Sequence, residues 1–459
     1  MSDRKTKKYT MDLTEGSIVK KLILFSFPLM ASSMLQLLFN AVDVMVVGKF
    51  AGDNALAAVG SNGPITGLMT NLFVGLSVGT NVLVARYFAG KETDKLRKAI
   101  HTSIMISVMG GIGLAIFGVI MARQLLVWTQ SPPEVIDLAT LYLRIYFLGM
   151  PANMLYNFGG AVLRGVGDTR RPLYYLTFAG LVNVVLNLFF VIVLHMDVAG
   201  VAIATVISQT ISAVLVIRCL LQESEPIRLE RKYLKIDGPL LREIMAIGLP
   251  AGIQSSMFSL SNVVVQSSIN SFGKVVMAGN AAAQNLESFI AMSVKALSQA
   301  AVAFISQNVG AKRYDRIGKI VATIVLFALV FDGVVSNLVY LCGRPLLGLY
   351  TESSKVVESG MIRVASNCIP HALYGVMDVM AGVIRGMGYS VMPMIVALLG
   401  VCGFRMAWIG MLSQNEAWYT IENVYSAYPI SWTFTLTVHT ICFFIVWHVM
   451  KKKWVKANV

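Results

Sequence analysis

Val162-Leu-Arg-Gly-Val-Gly-Asp-Thr-Arg-Arg-Pro172 and Val383-Ile-Arg-Gly-Met-Gly-Tyr-Ser-Val-Met-Pro393 are one element written twice, 221 residues apart. The same offset pairs Leu76-Ser77 with Leu297-Ser298 and Asp94 with Asp315, and an offset of 222 pairs Pro28 with Pro250 and Asn40 with Asn262. Each match falls at the same place in a recurring series of apolar runs, which indicates an internal duplication. The runs are long. A bilayer needs about 20 apolar residues per spanning helix, and twelve stretches qualify: 22–47, 56–84, 99–121, 136–160, 172–195, 199–220, 240–268, 276–305, 318–341, 358–382, 392–412 and 428–449. Of 459 residues, 56% are hydrophobic and only 14% charged, where a soluble domain carries about 25% charged residues. So few charges could not cover a water-facing surface of this size.

The net charge of +14 invites a nucleic-acid reading, but the basic residues sit in short clusters between apolar runs. With the N-terminus inside, 29 Lys and Arg fall on the inner side, among them Arg4, Lys5, Lys7, Lys8, Lys20 and Lys21, and five on the outer side, Lys49, Arg123, Lys274, Arg344 and Lys355. That bias orients a cytoplasmic-membrane protein with both termini cytoplasmic, and twelve spans satisfy it. No cleavable signal segment is read at the start, because the first apolar run continues too far for a signal core. Five scattered cysteines offer neither disulfide nor metal spacing.

The expected architecture is therefore an all-α polytopic membrane protein of twelve helices in two six-helix bundles. Residues 1–221 form an N-lobe, 222–239 a cytoplasmic linker and 240–459 a C-lobe. Six is even, so both halves begin on the same side. The lobes should be related by a pseudo-twofold axis along the membrane normal, with a central cleft.

Ionisable groups at membrane depth need a partner, a wet cavity or a purpose. Asp43 lies late in the first span, with Asn40 three residues before it and able to share its polar face. It reads either as a coupling carboxylate or as a helix-end group fixed by packing. Asn183 and Asn187 share a face of the fifth span, as pocket lining or as interhelical hydrogen-bonding glue. In the second half stand Glu287, with Gln284 one turn before it, and Asp378, whose counterpart at offset 221 is Asn157. These carboxylates read as ion or substrate ligands, or as partners of Lys295, Arg363 or Arg405. Arg144 and Arg363 are read as snorkelling anchors. No GxxxxGK[ST] phosphate loop, HExxH, CxxC or nucleophile elbow occurs, which argues against direct ATP drive and against an enzyme. The five histidines are dispersed.

The segments Asn40-Ala-Val-Asp-Val-Met-Val-Val-Gly-Lys-Phe50 and Leu56-Ala-Ala-Val-Gly60, the doubled Arg-Gly-x-Gly at Arg164 and Arg385, Asn183-Val-Val-Leu-Asn187 and Tyr428-Pro-Ile-Ser-Trp432 together resemble the multidrug and toxic compound extrusion (MATE) family, in its bacterial drug-exporter branch. The resemblance implies antiport: H+ or Na+ enters as an amphipathic or cationic organic compound leaves through a cleft between lobes, without a further cofactor. Asp43 matches the family's N-lobe coupling carboxylate and Asn183 its polar network, while Asn187 stands where those members have an aspartate. Asp378 matches the C-lobe aspartate and Glu287 lies nearest the acidic position of helix eight, which implies a Na+ position at these two. Gln254 and Gln266 stand where such members place a glutamate. Expected partners are small organic cations or amphipathic drugs and membrane lipids, with no nucleic acid, for a monomer in the bacterial inner membrane. The alternative is a lipid-linked precursor flippase, which would need several cations in the cleft.

Overall fold

A computed structural model describes residues 9–129 and 131–458. The basic positions Arg4, Lys5, Lys7 and Lys8 lie outside the described residues. The first half comprises α1 (Ile18–Phe50), α2 (Asp53–Ala89), α3 (Thr93–Trp128), α4 (Ile136–Leu148), α5 (Met150–Gly165), α6 (Arg170–Leu188) and α7 (Asp197–Leu221). The second comprises α8 (Gly238–Asn270), α9 (Lys274–Gly310), α10 (Tyr314–Leu341), α11 (Gly343–Gly348), α12 (Ser354–Cys368), α13 (His371–Gly386), α14 (Val391–Ala397), α15 (Phe404–Leu412) and α16 (Ile421–Asn458). The chain is an all-helical membrane protein of twelve spans in two six-helix bundles.

Ten of the spans are single apolar stretches of helix. The other two, the fourth and the tenth, were expected as continuous helices over 136–160 and 358–382. Each is instead a broken pair, α4–α5 and α12–α13, running on to Gly165 and Gly386. Pro151 and Pro370 stand at the breaks, and a proline removes a backbone donor and crowds the preceding turn. α6 continues into a π-helical turn, Phe189–Val193, and α14 is joined to α15 by another, Leu398–Gly403.

The doubled Arg-Gly-x-Gly ends α5 and α13. Its second glycine takes a positive φ, +91° at Gly167 and +98° at Gly388, a conformation that a side chain would strain. At Gly167 a methyl would also strike the backbone of Met11. Just beyond, buried Asp168 accepts from the backbone N–H of Arg170 and Arg171, both at 3.1 Å. The Arg171 guanidinium bridges Asp168 and Glu223, so the end of α7 is tied to the start of α6.

The chain divides into two compact units, residues 1–13 with 27–252, and 14–26 with 253–459. The division falls inside α1 and α8 rather than in the 222–239 linker. In the first unit the reason is close helix packing. Gly75 and Gly79 of α2 face Gly252 and Ile244 of α8, and a methyl on either glycine would fall on α8 backbone. Gly248 and Gly252 meet α2 in the same way at Leu76 and Leu72. Small residues four apart let two backbones approach where lipid offers no hydrophobic drive. In the second unit Phe25 of α1 packs edge-on against Phe304 of α9 at 5.9 Å. Outward faces carry exposed apolar side chains such as Ile120, Leu326, Leu399 and Ile441, as lipid contact demands.

Replacing Gly75 by valine should destabilise the first unit by about 1–3 kcal/mol through overpacking. Gly67→Val on the same helix, where nothing lies within 4 Å, should not. Thermal midpoints of the two purified variants in detergent check this.

Candidate functional site

Each unit holds polar side chains clustered at membrane depth. In the first, α1 and α6 approach closely because Gly180 leaves room for the Phe39 ring, which a methyl there would strike. This brings α6 onto the carboxylate one turn after Phe39. Asn187 Nδ2 donates to Asp43 Oδ1 and lies 3.3 Å from Asn183 Oδ1. Thr205 Oγ1 of α7 lies 3.5 Å from Asp43 Oδ2 and also donates to Val201 O at 2.9 Å. Asn183 and Asn187 are buried. Among the described residues no Lys, Arg or His nitrogen stands within 4.0 Å of the Asp43 carboxylate. It is a carboxylate held by an amide and a hydroxyl, with its charge unmatched.

The structure thus joins Asp43, Asn183 and Asn187 and adds Thr205, whose distant place in the chain gave no signal. Two expected members are not joined to it. Asn40 is exposed, and the partner of Asp43 comes from α6 instead. Asn157 turns to Asn153 on its own helix, donating to its backbone O at 2.9 Å and its Oδ1 at 2.8 Å.

The second cluster centres on an ion pair. Arg363 Nε donates to Glu287 Oε1 at 2.9 Å and Nη2 to Oε2 at 2.7 Å, a fork that matches the carboxylate plane. Asn367 donates to Oε1 at 3.1 Å. Arg363 Nη1 donates to Asn280 Oδ1 at 2.6 Å, which also accepts from Tyr425 Oη at 3.2 Å. Asn280 in turn donates to Gln266 Oε1 at 2.8 Å. Arg363 is only 4% exposed, so its reading as a snorkelling anchor is corrected. The snorkelling pattern fits Arg144, whose Nε donates to Val119 O at 3.2 Å from an exposed position.

Glu287 is thereby engaged at both oxygens. Asp378 is not among its partners; its carboxylate interacts electrostatically with Lys295 and Arg385. Arg385 Nη2 also donates to Gln254 Oε1 at 2.7 Å. Gln284 is exposed on α9. Sequence reasoning passed over Asp332 and treated the histidines as dispersed, yet buried Asp332 lies 3.0 Å from His371 Nδ1. An acid in the middle of an apolar run was the available signal.

With these clusters in place the comparison with known proteins is direct. The MatE family model matches residues 28–189 and again 250–409, one copy per half. The chain belongs to the MatE family. Among relatives of this MatE chain, a Bacillus subtilis protein named as a probable multidrug resistance protein, YoeA, is 27% identical over 452 residues, 97% of this chain and 96% of its own. The multidrug export protein MepA of Staphylococcus aureus is 21% identical over 389 residues, 84% of this chain and 85% of its own. A solved outward-facing multidrug resistance MATE transporter of the MOP superfamily superposes with a TM-score of 0.89 at 19% identity. That match covers 96% of this chain and 98% of the other, and at this identity it shows the fold. This is a transporter family, and the duplicated match places one copy of its motif in each half.

The two clusters should respond differently to truncation. Arg363→Ala strands a buried carboxylate and should cost about 3–5 kcal/mol. Asp43→Asn keeps the shape of an acceptor to Asn187 and should cost about 1 kcal/mol or less. Thermal midpoints of both MatE variants, measured side by side, check the ordering.

Proposed function

We propose that this protein exports amphipathic or cationic organic compounds from the cytoplasm in exchange for H+ or Na+, by alternating exposure of its solute site to the two sides of the membrane. The observation that carries the reading is Asp43. A half-buried carboxylate at membrane depth, with amide and hydroxyl partners and no cation paired to it among the described residues, is a group whose charge can be met by an incoming ion. Loss of that ion leaves a charge that favours binding of a cationic solute. The same group can therefore serve ion and solute in turn, which is the requirement for exchange. Membership in a transporter family and similarity to proteins named for multidrug resistance and export support the substrate class.

The basic bias of one set of loops supports an inner-membrane protein with both termini cytoplasmic, working as a monomer. Glu287 belongs to this scheme as a fixed element, because Arg363 already neutralises it. That pairing also weighs against a lipid-linked precursor as substrate: of the cations expected to grip a pyrophosphate, Arg363 is occupied.

In proteoliposomes, efflux of a fluorescent organic cation under separately imposed pH and Na+ gradients should follow one gradient and name the ion. Asp43→Asn should abolish the gradient-driven component while the protein stays folded. Wild-type protein that moves no member of a broad cation panel under either gradient would sink the reading.

A further inference from the structure

The two units share a scaffold and differ in charge at corresponding positions. At the 222 offset that pairs Asn40 with Asn262, Asn183 corresponds to Arg405 and Asp43 to Val265. The π-helical turn Leu398–Gly403 immediately precedes α15, and its wider turn accounts for the one-residue gain over the 221 offset at Pro172 and Pro393. Contacts agree with this register. Phe39 meets Gly180 in the first unit, and Cys402, the counterpart of Gly180, donates to Met257 O of α8 at 3.4 Å in the second. Asp43 and Arg405 also lie at matching depths, each seven residues before the end of its helix, at Phe50 and Leu412.

Arg405 is 4% exposed. Its Nε donates to Ser431 Oγ at 3.1 Å and its Nη1 to Asn262 Oδ1 at 3.3 Å. Its guanidinium carbon lies 4.2 Å from the Tyr428 ring centroid. Nη2 makes no hydrogen bond among the described residues. Among the described residues no Asp or Glu oxygen lies within 4.0 Å of the Arg405 guanidinium nitrogens, and Arg363, whose guanidinium carbon lies 5.4 Å from the same Tyr428 ring, is already paired with Glu287. An uncompensated guanidinium at this depth is costly unless something supplies the missing anion. Asn262, which holds Nη1, is exposed, so the site has a path from outside the packed interior. Tyr428 and Trp432, with ring centroids 6.0 Å apart, set aromatic faces beside it.

We propose that Arg405, backed by Tyr428, is a docking point for an anionic group, a carboxylate or phosphate, on the transported solute. The free edge of the guanidinium accepts the anion. Solutes of this protein then include amphipathic anions and zwitterions as well as cations, read by different units: Asp43 for positive groups, Arg405 for negative ones. This deepens the export reading and rests on it.

The test uses two xanthene dyes of similar skeleton, anionic fluorescein and cationic rhodamine 6G, with the full-length protein in neutral phosphatidylcholine vesicles. Binding is read by fluorescence anisotropy, and transport under a pH or Na+ gradient is read in parallel. Arg405→Gln should weaken fluorescein binding about 10- to 100-fold, the loss of a charge-assisted hydrogen bond, and leave rhodamine 6G unchanged. Arg405→Lys should retain part of the fluorescein affinity. Equal loss of both dyes in Arg405→Gln, with Arg405→Lys equally impaired, would make Arg405 a structural brace and overturn the proposal. So would wild-type protein that binds and moves rhodamine 6G but not fluorescein, an outcome that leaves cation export standing. Wild-type protein that moves neither dye strikes the export reading itself.

Discussion

Arg363 and Glu287 meet in a part of the second unit that water hardly reaches, and each alone would be a charge in a medium that cannot solvate it. Joined by two parallel hydrogen bonds, and with Asn280 and Asn367 completing the set, they become a neutral unit that the fold can enclose. The rest of the molecule obeys the same constraint. Asp332 is enclosed with His371, and Asp168 and Glu223 share Arg171. Backbone donors and acceptors disappear into helices because hydrocarbon leaves no other solution. Asp43 and Arg405 are among the groups that lack an ion-pair partner within the described residues, which is why the proposed ion and solute contacts fall on them.

Duplication explains the scaffold and divergence the chemistry. Both halves keep the glycine with positive φ after the fifth and thirteenth helices and a proline break in the fourth or tenth span, because backbone geometry admits few replacements. The polar positions are freer. A carboxylate and two amides occupy the first unit where the second has valine, arginine and an apolar neighbour. One copy of the fold can thus present a negative group and the other a positive one without altering how the helices pack.

Close approach of helices is what converts these sequence choices into sites. Gly180 admits Phe39 and thereby sets Asn187 on Asp43. Gly75, Gly79, Gly248 and Gly252 let α2 and α8 touch backbone to backbone, so the start of the second repeat packs within the first compact unit. A division by linker alone, at residues 222–239, follows the duplication but not this packing.

The sequence by itself determined the membrane setting, twelve spans, the duplication and the family, because apolar length, repeated motifs and rare intramembrane charges are properties of the chain read in order. It also singled out Asp43, Asn183 and Asn187. Partners it could not assign. Thr205 lies far along the chain from Asp43, Arg363 stood both as a snorkelling anchor and as one of three possible partners of the carboxylates, and Asp332 and His371 passed unnoticed. Asn157, which symmetry recommended, turned to its own helix, and Asn40, which spacing recommended, makes no hydrogen bond to Asp43 among the described residues. Helical periodicity fixes which residues share a face of one helix, but which helix that face meets, and so which charge is neutralised and which is left open, is decided only when the helices pack.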